Sequence, residues 1–257
     1  MEKQTAARTA AVLFPRAGES ALCPGIIVRM SENPDCVGEV SARLIQCRRC
    51  PRLVAWREQV AAEKRRAFQG QQYWGKPVPG FGDPSARLLA VGLAPGAHGS
   101  NRTGRMFTGD ASGEFLYPAL FQAGFASSPR AENVADGLRL RDLFITVVCR
   151  CAPPGNKPAP DEIRSCQSWL QAEMDCLGNL QGIVLLGKIA LDGVLGLPMY
   201  AGLSRKEVSF GHGAFYAPTG LPWLLCSYHP SRQNTQTGRL TAEMFDAIWQ
   251  TAGQRLR

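Results

Sequence analysis

The stretch RLLAVGLAPGAHG, residues 87–99, decides the fold class of this chain. Its first half is a short apolar run typical of a strand buried on both faces, and its second half is a glycine-rich loop. Similar apolar runs occupy residues 143–148, 183–186 and 223–226, with helical patterns between them. Buried strands that alternate with helices predict parallel pairing through crossovers. We therefore expect an α/β fold, a three-layer α/β/α sandwich around a mostly parallel, four-stranded sheet.

The remaining pattern predicts one folded domain behind an N-terminal tail. Residues 1–37 show no periodicity and predict a poorly ordered tail, which leaves residues 38–257 as a single catalytic domain. The Gly- and Pro-rich segment 70–84 predicts a loop. Helical spacing of apolar residues predicts helices over residues 51–67, 112–123, 161–177, 188–196 and 242–255.

The overall composition favours a globular protein with a polyanionic partner. The chain has 29 Lys and Arg against 21 Asp and Glu, a net charge of +8, and 45% hydrophobic residues. No run approaches the roughly 18 apolar residues of a membrane span, and the N-terminus lacks a signal-peptide pattern. We expect a cytoplasmic protein of the bacterial intracellular type, with no membrane partner. The charge alone does not separate a nucleic-acid ligand from a solvated basic surface.

The segments that follow the predicted strands carry most of the functional information. They are GLAPGAHG at residues 92–99, CRCAPPGNK at residues 149–157 and SYHPS at residues 227–231. Ligands of open parallel sheets bind at the carboxyl ends of the strands. These three segments are therefore expected to meet at one edge of the sheet.

Four cysteines have spacing that suits metal ligation. Cys47 and Cys50 form a C-x2-C pair ahead of a helix, and Cys151 and Cys166 flank a Pro-rich loop. In a reducing compartment, four thiolates could hold an iron–sulfur cluster or a structural zinc ion. An accidental pair and a core cysteine explain the spacing equally well.

The other cysteines leave one ambiguity. Cys149 competes with Cys151 as a ligand, because residues two apart on a strand point to the same side. Cys151 lies at the strand end, where a loop can reach a cluster. Cys176 and Cys226 are interpreted as small buried hydrophobic residues.

The long glycine-rich segment 92–113 is a candidate ligand site. It matches neither a phosphate-binding P-loop nor the dinucleotide fingerprint. It contains Phe107 and Asp110, and an aromatic face beside a carboxylate suits a pocket for a planar base. The alternative is a core phenylalanine next to an acid that caps a helix.

His229 is the histidine best placed for chemistry. It follows a predicted strand, and Pro230 fixes the turn that projects the imidazole from the edge of the sheet. His98 lies in the glycine-rich loop, and His212 is interpreted as a turn residue. A lone histidine is more often structural, but the strand-end position favours a functional role.

Taken together, these motifs resemble the type-5 uracil-DNA glycosylases. The resemblance covers about residues 40–250 and depends on several motifs in one order. They are CRRCPRLVAWR at 47–57, YWGKPVPGFGDP at 73–84, GLAP at 92–95, HGSNRTGRMFTGD at 98–110, CAPP at 151–154, HPS at 229–231 and NTQTGRLT at 234–241.

The resemblance implies an enzyme of base excision repair. Such an enzyme flips uracil, and other deaminated bases such as hypoxanthine, out of double- or single-stranded DNA and hydrolyses the N-glycosidic bond. It implies a 4Fe-4S cluster in which Cys149 is not a ligand. We also expect a monomer. The implied cluster ligands are Cys47, Cys50, Cys151 and Cys166.

The resemblance also implies roles for individual residues. Leu93 replaces the polar side chain that sister families carry after the first motif glycine, so water activation is assigned to Asp110, and His229 stabilises the departing base. Thr146-Val147 replaces the Asn with which sister families read uracil, which weakens strict uracil selectivity. The implied base-binding residues are Gly92, Leu93, Ala94, Phe107 and, as the substitute for that Asn, Asn156. The implied DNA contacts are Ser231, Arg232, Gln233, Asn234 and Arg239.

Two other functions compete with the glycosylase interpretation. The first is a non-catalytic nucleic-acid-binding protein in which the same four cysteines hold zinc. The second is a small-molecule hydrolase that uses Asp110 and His229 on free nucleosides.

Overall fold

The computed structural model describes residues 35–203 and 206–257. Its six strands, β1 to β6 in chain order, are Phe81–Gly82, Leu88–Gly92, Leu143–Val147, Gly182–Leu186, Phe215–Tyr216 and Trp223–Ser227. Its α-helices, α1 to α8 in chain order, are Cys36–Leu44, Pro51–Glu63, Ser100–Thr103, Ala111–Gln122, Pro160–Cys176, Lys188–Leu195, Arg232–Gln236 and Ala242–Arg255. None of these helices is long and apolar enough to cross a bilayer.

The sheet has the order β1-β3-β2-β4-β6-β5. The four central strands pair in parallel, with Leu88 opposite both Leu143 and Gly182. The predicted α/β class and mostly parallel sheet are confirmed. The predicted strand number was too low, because β1 and β5 add antiparallel edges of two residues each, Phe81–Gly82 and Phe215–Tyr216. Two residues are too few to show a period in the sequence, and β1 lies inside the predicted loop 70–84.

Alternate residues of each central strand face two separate cores. Leu88 and Ala90 belong to the core that contains residues of α4 and α8, whereas Leu89 and Val91 belong to the core that contains residues of α5 and α6. All four side chains are fully buried. Helices on both faces explain why the strands are continuously apolar, and they form the predicted three layers.

The N-terminal boundary differs from the prediction. Residues 1–34 of the predicted tail 1–37 lie outside the described residues, but Cys36 begins α1, which packs on α5. Cys36 forms a disulfide with Cys176 at the end of α5. The interpretation of Cys176 as a small hydrophobic residue was therefore wrong, because sequence separation hides a pairing across 140 residues. Cys226 is fully buried in the α5–α6 core, as expected.

A fully buried ion pair fixes the carboxyl end of β3. Glu173 of α5 accepts two hydrogen bonds of 2.7 Å from the Arg150 guanidinium and one of 2.6 Å from the Thr146 hydroxyl. Glu173 also accepts a bond of 3.0 Å from the Gly80 amide. Removing one partner of such a pair typically costs about 3–5 kcal/mol. The network thereby fixes the end of β3 and the start of the segment that follows it.

Candidate functional site

A pocket of about 550 Å³ opens at the carboxyl ends of β2, β3 and β6. The three segments that follow these strands therefore meet, as expected from the parallel topology. Eight of the residues implied by the resemblance line it: Leu93, Ala94, Phe107, Asp110, Asn156, His229, Ser231 and Arg232.

Asp110 both caps a helix and faces the pocket. Its Oδ1 accepts hydrogen bonds of 3.1 Å from the amides of Ser112 and Gly113 at the start of α4. Its Oδ2 lies against two glycines, since a Cβ built on Gly99 would be 2.0 Å from it and one on Gly96 would be 2.8 Å away. Burial raises the carboxyl pKa against the opposing effect of the two amide bonds. The helix cap thus uses Oδ1 and leaves Oδ2 packed against Gly96 and Gly99.

Phe107 forms an aromatic wall of the pocket. It is 6% exposed and adopts a φ of 51°, which a bulky residue rarely does without tertiary support. Gly92 lies behind it, and a Cβ on Gly92 would be only 2.7 Å from the Phe107 ring. Gly92 does not line the pocket itself; it leaves room for the ring, whose centroid is 6.1 Å from that of His229.

His229 is held as a neutral imidazole. Burial lowers its pKa to about 4. Its carbonyl oxygen accepts hydrogen bonds of 2.7 Å from the Ser231 amide and 2.9 Å from the Asn234 side chain. These bonds fix the turn after β6 and thereby the position of the imidazole at the pocket. Because its pKa is low, the imidazole is neutral at ordinary pH.

The residues predicted to contact DNA fall into different surroundings. Ser231 caps α7 by accepting from the Asn234 amide, and Arg232 is exposed at the pocket edge. Asn234 and Arg239 line a neighbouring groove of about 270 Å³, where the Arg239 guanidinium lies 4.7 Å from the centroid of the Tyr228 ring. Gln233 is exposed and lines neither cavity.

Sequence reasoning missed one wall of the pocket. Arg65 and Phe68 line it, together with His98. The helical pattern was extended to residue 67, whereas α2 ends at Glu63 and Lys64 turns the chain with a φ of 54°. The sequence signal for this wall was an arginine and a phenylalanine just beyond the end of α2.

The four predicted cysteine ligands share a second, much smaller cavity of about 20 Å³. Cys47, Cys50, Cys151 and Cys166 line it, and Cys149 does not. Leu53 and Trp169 close it with apolar surface. Within residues 35–203 and 206–257, no group of three or more His, Cys, Asp or Glu side chains is arranged to hold a single metal ion. The zinc interpretation has no support in this geometry.

Buried hydrogen-bond donors face the cysteine sulfurs that line this cavity. The Arg57 guanidinium is 2% exposed and donates a 3.2 Å hydrogen bond to the Cys151 sulfur. The Arg150 amide donates to the Cys166 sulfur over 3.3 Å. The Cys149 thiol, which lies outside the cavity, donates to the Cys151 carbonyl oxygen over 3.6 Å.

Comparison with known proteins shows the family of this chain. Residues 79–253 match the family model of the Uracil DNA glycosylase superfamily. The type-5 uracil-DNA glycosylase of Thermus thermophilus is 57% identical over 202 residues, which is 79% of this chain and 90% of that protein. The chain belongs to the type-5 uracil-DNA glycosylases. The resemblance found in the sequence motifs is therefore confirmed, and with it the predicted enzyme class.

Other type-5 uracil-DNA glycosylases show that the similarity is broad. The protein of Mycobacterium bovis is 51% identical over 215 residues, which is 83% of this chain and 80% of that protein. The protein of Pyrobaculum aerophilum is 42% identical over 210 residues, which is 82% of this chain and 89% of that protein. The similarity to type-5 uracil-DNA glycosylases thus extends over about four fifths of this chain.

Proposed function

We propose that this chain excises uracil from DNA by hydrolysing the N-glycosidic bond in base excision repair. The observation that carries the proposal is the convergence of Phe107, Asp110 and His229 in one pocket at the carboxyl ends of three parallel strands. A target base must leave the stack to reach such a pocket, and this costs a few kcal/mol and is least for a mispaired base. The Phe107 face then supports the flipped base, and Leu93 and Ala94 line its edge.

The two functional side chains divide the chemistry. Asp110 accepts a proton from a water molecule, and the water oxygen bonds to the sugar C1′ as the C1′–N bond breaks. The bonding electron pair leaves with the base, which departs as an anion. The neutral His229 donates a hydrogen bond to a carbonyl oxygen of that anion, an effect worth about 3–4 kcal/mol in comparable oxyanion sites. Because Oδ1 of Asp110 is occupied by the helix amides, the proton is accepted by Oδ2.

We extend the proposal to other deaminated bases such as hypoxanthine. Val147 lines the pocket where sister families place an Asn, and the preceding Thr146 bonds to Glu173 instead. With an apolar side chain in that place, the pocket offers little hydrogen-bond discrimination against a larger base. Asn156 is exposed at the edge and supplies the remaining side-chain amide.

A 4Fe-4S cluster is the cofactor that the cysteine cavity fits best. Its donors are four sulfurs without a carboxylate or imidazole, and a buried arginine faces one of them. A cluster distributes its ligands around a cage, so they need not converge on one ion. Cys47, Cys50, Cys151 and Cys166 would hold it, and it would tie the start of α2 to the end of β3 and to α5. Its role is structural.

Excision from defined oligonucleotides tests the proposed function. The protein is incubated with oligonucleotides that contain one uracil or one hypoxanthine, single-stranded or paired, and abasic sites are cleaved with alkali. Strand breaks at the modified position are expected, and none in an oligonucleotide with thymine there. Absence of breaks with every lesion would refute the proposal, and release of uracil from free deoxyuridine alone would favour the nucleoside hydrolase. Gel filtration tests the proposed monomer, and a cytoplasmic location remains part of the proposal.

A further inference from the structure

One wall of the base pocket has a polar side chain for which the mechanism has no use. His98 lines the pocket beside Arg65 and Phe68, at the turn formed by residues 96–99. Arg102 clamps this turn: it donates to the His98 carbonyl over 2.7 Å and to the Gly109 carbonyl over 3.0 Å, and it lies 4.0 Å from the centroid of the Phe68 ring. The imidazole is therefore held in a defined place.

A hydrogen-bond relay connects His98 to Tyr73 and to the backbone of Arg65. The Arg65 amide donates to the Tyr73 hydroxyl oxygen over 3.3 Å, and this oxygen lies 3.1 Å from His98 Nδ1. The relay is complete when the hydroxyl donates its single hydrogen to Nδ1, because the amide already uses one acceptor site of the oxygen. A neutral imidazole whose Nδ1 accepts must carry its proton on Nε2. Burial, Arg65 and Arg102 lower the His98 pKa, which favours this neutral form.

The charge around His98 indicates the chemistry of its ligand. Arg65 is exposed at the pocket edge, and among the described residues no carboxylate lies within ion-pair distance of its guanidinium. Arg102, in contrast, uses its donors on protein oxygens, including the Gln71 side chain. One free guanidinium beside one N–H donor suits an anionic oxygen, and phosphate oxygens are the anions that DNA offers.

We propose that His98 Nε2 and the Arg65 guanidinium bind one phosphodiester next to the flipped nucleotide, and that Tyr73 positions the imidazole. The proposal rests on the proposed function, because it takes the substrate to be DNA. It assigns the missed wall of the pocket to the DNA backbone and leaves Asp110 to the water molecule and His229 to the base.

Neutral methylphosphonate linkages test this assignment one phosphate at a time. Uracil oligonucleotides carry a single methylphosphonate at each linkage near the uracil in turn. Binding is measured by fluorescence anisotropy in an Asp110→Asn background, so that the substrate survives. His98→Ala is expected to weaken binding about fivefold on the all-phosphate oligonucleotide and to have no effect where one particular linkage is neutral. Tyr73→Phe is expected to reproduce that pattern at the same linkage with a smaller loss.

Arg65→Ala and its neighbour Arg66→Ala form a matched pair, because both arginines are exposed and only Arg65 lines the pocket. Arg65→Ala is expected to lower the salt dependence of binding by about one phosphate contact, whereas Arg66→Ala leaves it unchanged. An equal loss for His98→Ala on every oligonucleotide, or an unchanged affinity, would overturn the proposal. Failure of the unsubstituted protein to excise uracil would instead refute the proposed function, and the binding data would still decide about the phosphate.

Discussion

The base pocket and the cysteine cavity both include residues at the carboxyl end of β3, but they differ in size and in the parts of the chain that form them. The pocket has about 550 Å³ of space, and its segment 92–113 supplies most of its walls. The cavity has about 20 Å³ and collects its sulfurs from three distant parts of the chain. An open site with most of its walls from one loop suits a ligand that enters and leaves. A small site that joins separate segments suits a permanent occupant.

The two regions also handle charge differently. In the pocket, Asp110 and His229 are disfavoured as ions, since burial raises the pKa of the first and lowers that of the second. In the cavity, burial likewise raises the pKa of Cys50 and Cys151, but the Arg57 guanidinium and the Arg150 amide donate to sulfur atoms there. The cavity thus directs donors at its sulfurs against the effect of burial, whereas burial alone sets the direction of the His229 pKa in the pocket. The following experiments test this contrast, in order of decreasing effect.

Asp110→Asn should separate activity from stability in the pocket. We expect single-turnover excision to fall by about a hundredfold to ten-thousandfold, because the amide accepts no proton from water. Asparagine caps helices as well as aspartate does, so the free energy of unfolding should change by only about 0.5 kcal/mol or less. Glu132→Gln, which alters an exposed carboxylate outside the pocket, is the control and should change the rate less than about threefold. A large loss of stability in Asp110→Asn would make the residue structural.

Cys166→Ser should separate stability from chemistry in the cavity. We expect loss of the broad absorption near about 400 nm and a decrease of about 3 kcal/mol or more in the free energy of unfolding, because the proposed cluster would no longer link α5 to the other segments. Cys149→Ser, which alters a sulfur outside the cavity, should keep the absorption. A colourless unsubstituted protein that contains zinc would contradict the cluster assignment.

Gly99→Ala should move the Asp110 carboxylate without altering its chemistry. The added Cβ would lie 2.0 Å from Oδ2, so we expect excision to slow by about tenfold to a hundredfold as the carboxylate is displaced. Gly70→Ala is the control, because a Cβ there has no neighbour within 4 Å. Equal rates in the two variants would show that the close packing of Oδ2 has no function.

The pH profile should report Asp110 and not His229. The raised pKa of Asp110 means that the carboxyl gains a proton at a higher pH than an ordinary aspartic acid. As the pH falls through that pKa, the excision rate should decrease, by about tenfold for each pH unit below it. His229, with a pKa of about 4, stays neutral above about pH 5. His229→Gln should therefore slow excision while the acid limb stays in place; a displaced limb would assign it to His229.

The sequence was most informative where one segment carries one function. The apolar runs predicted the four central strands, and their ends placed Asp110 and His229 at one edge. It was least informative where pairing crosses the chain, as in the Cys36–Cys176 disulfide, or where an element is too short to show a period, as in β1 and β5. The pocket wall at Arg65 and Phe68 was missed because the predicted helix continues to residue 67, whereas α2 ends at Glu63.

The alternation of buried strands and helices, which lies in the sequence itself, determined the α/β class and the edge at which a ligand binds. A strand that is apolar on both faces requires a covered parallel sheet, and parallel strands bring their carboxyl ends together. The tertiary structure alone packed Oδ2 of Asp110 against Gly96 and Gly99 and paired Cys36 with Cys176. Both arrangements depend on distances of a few ångströms between groups separated in the chain, which no local pattern of residues specifies.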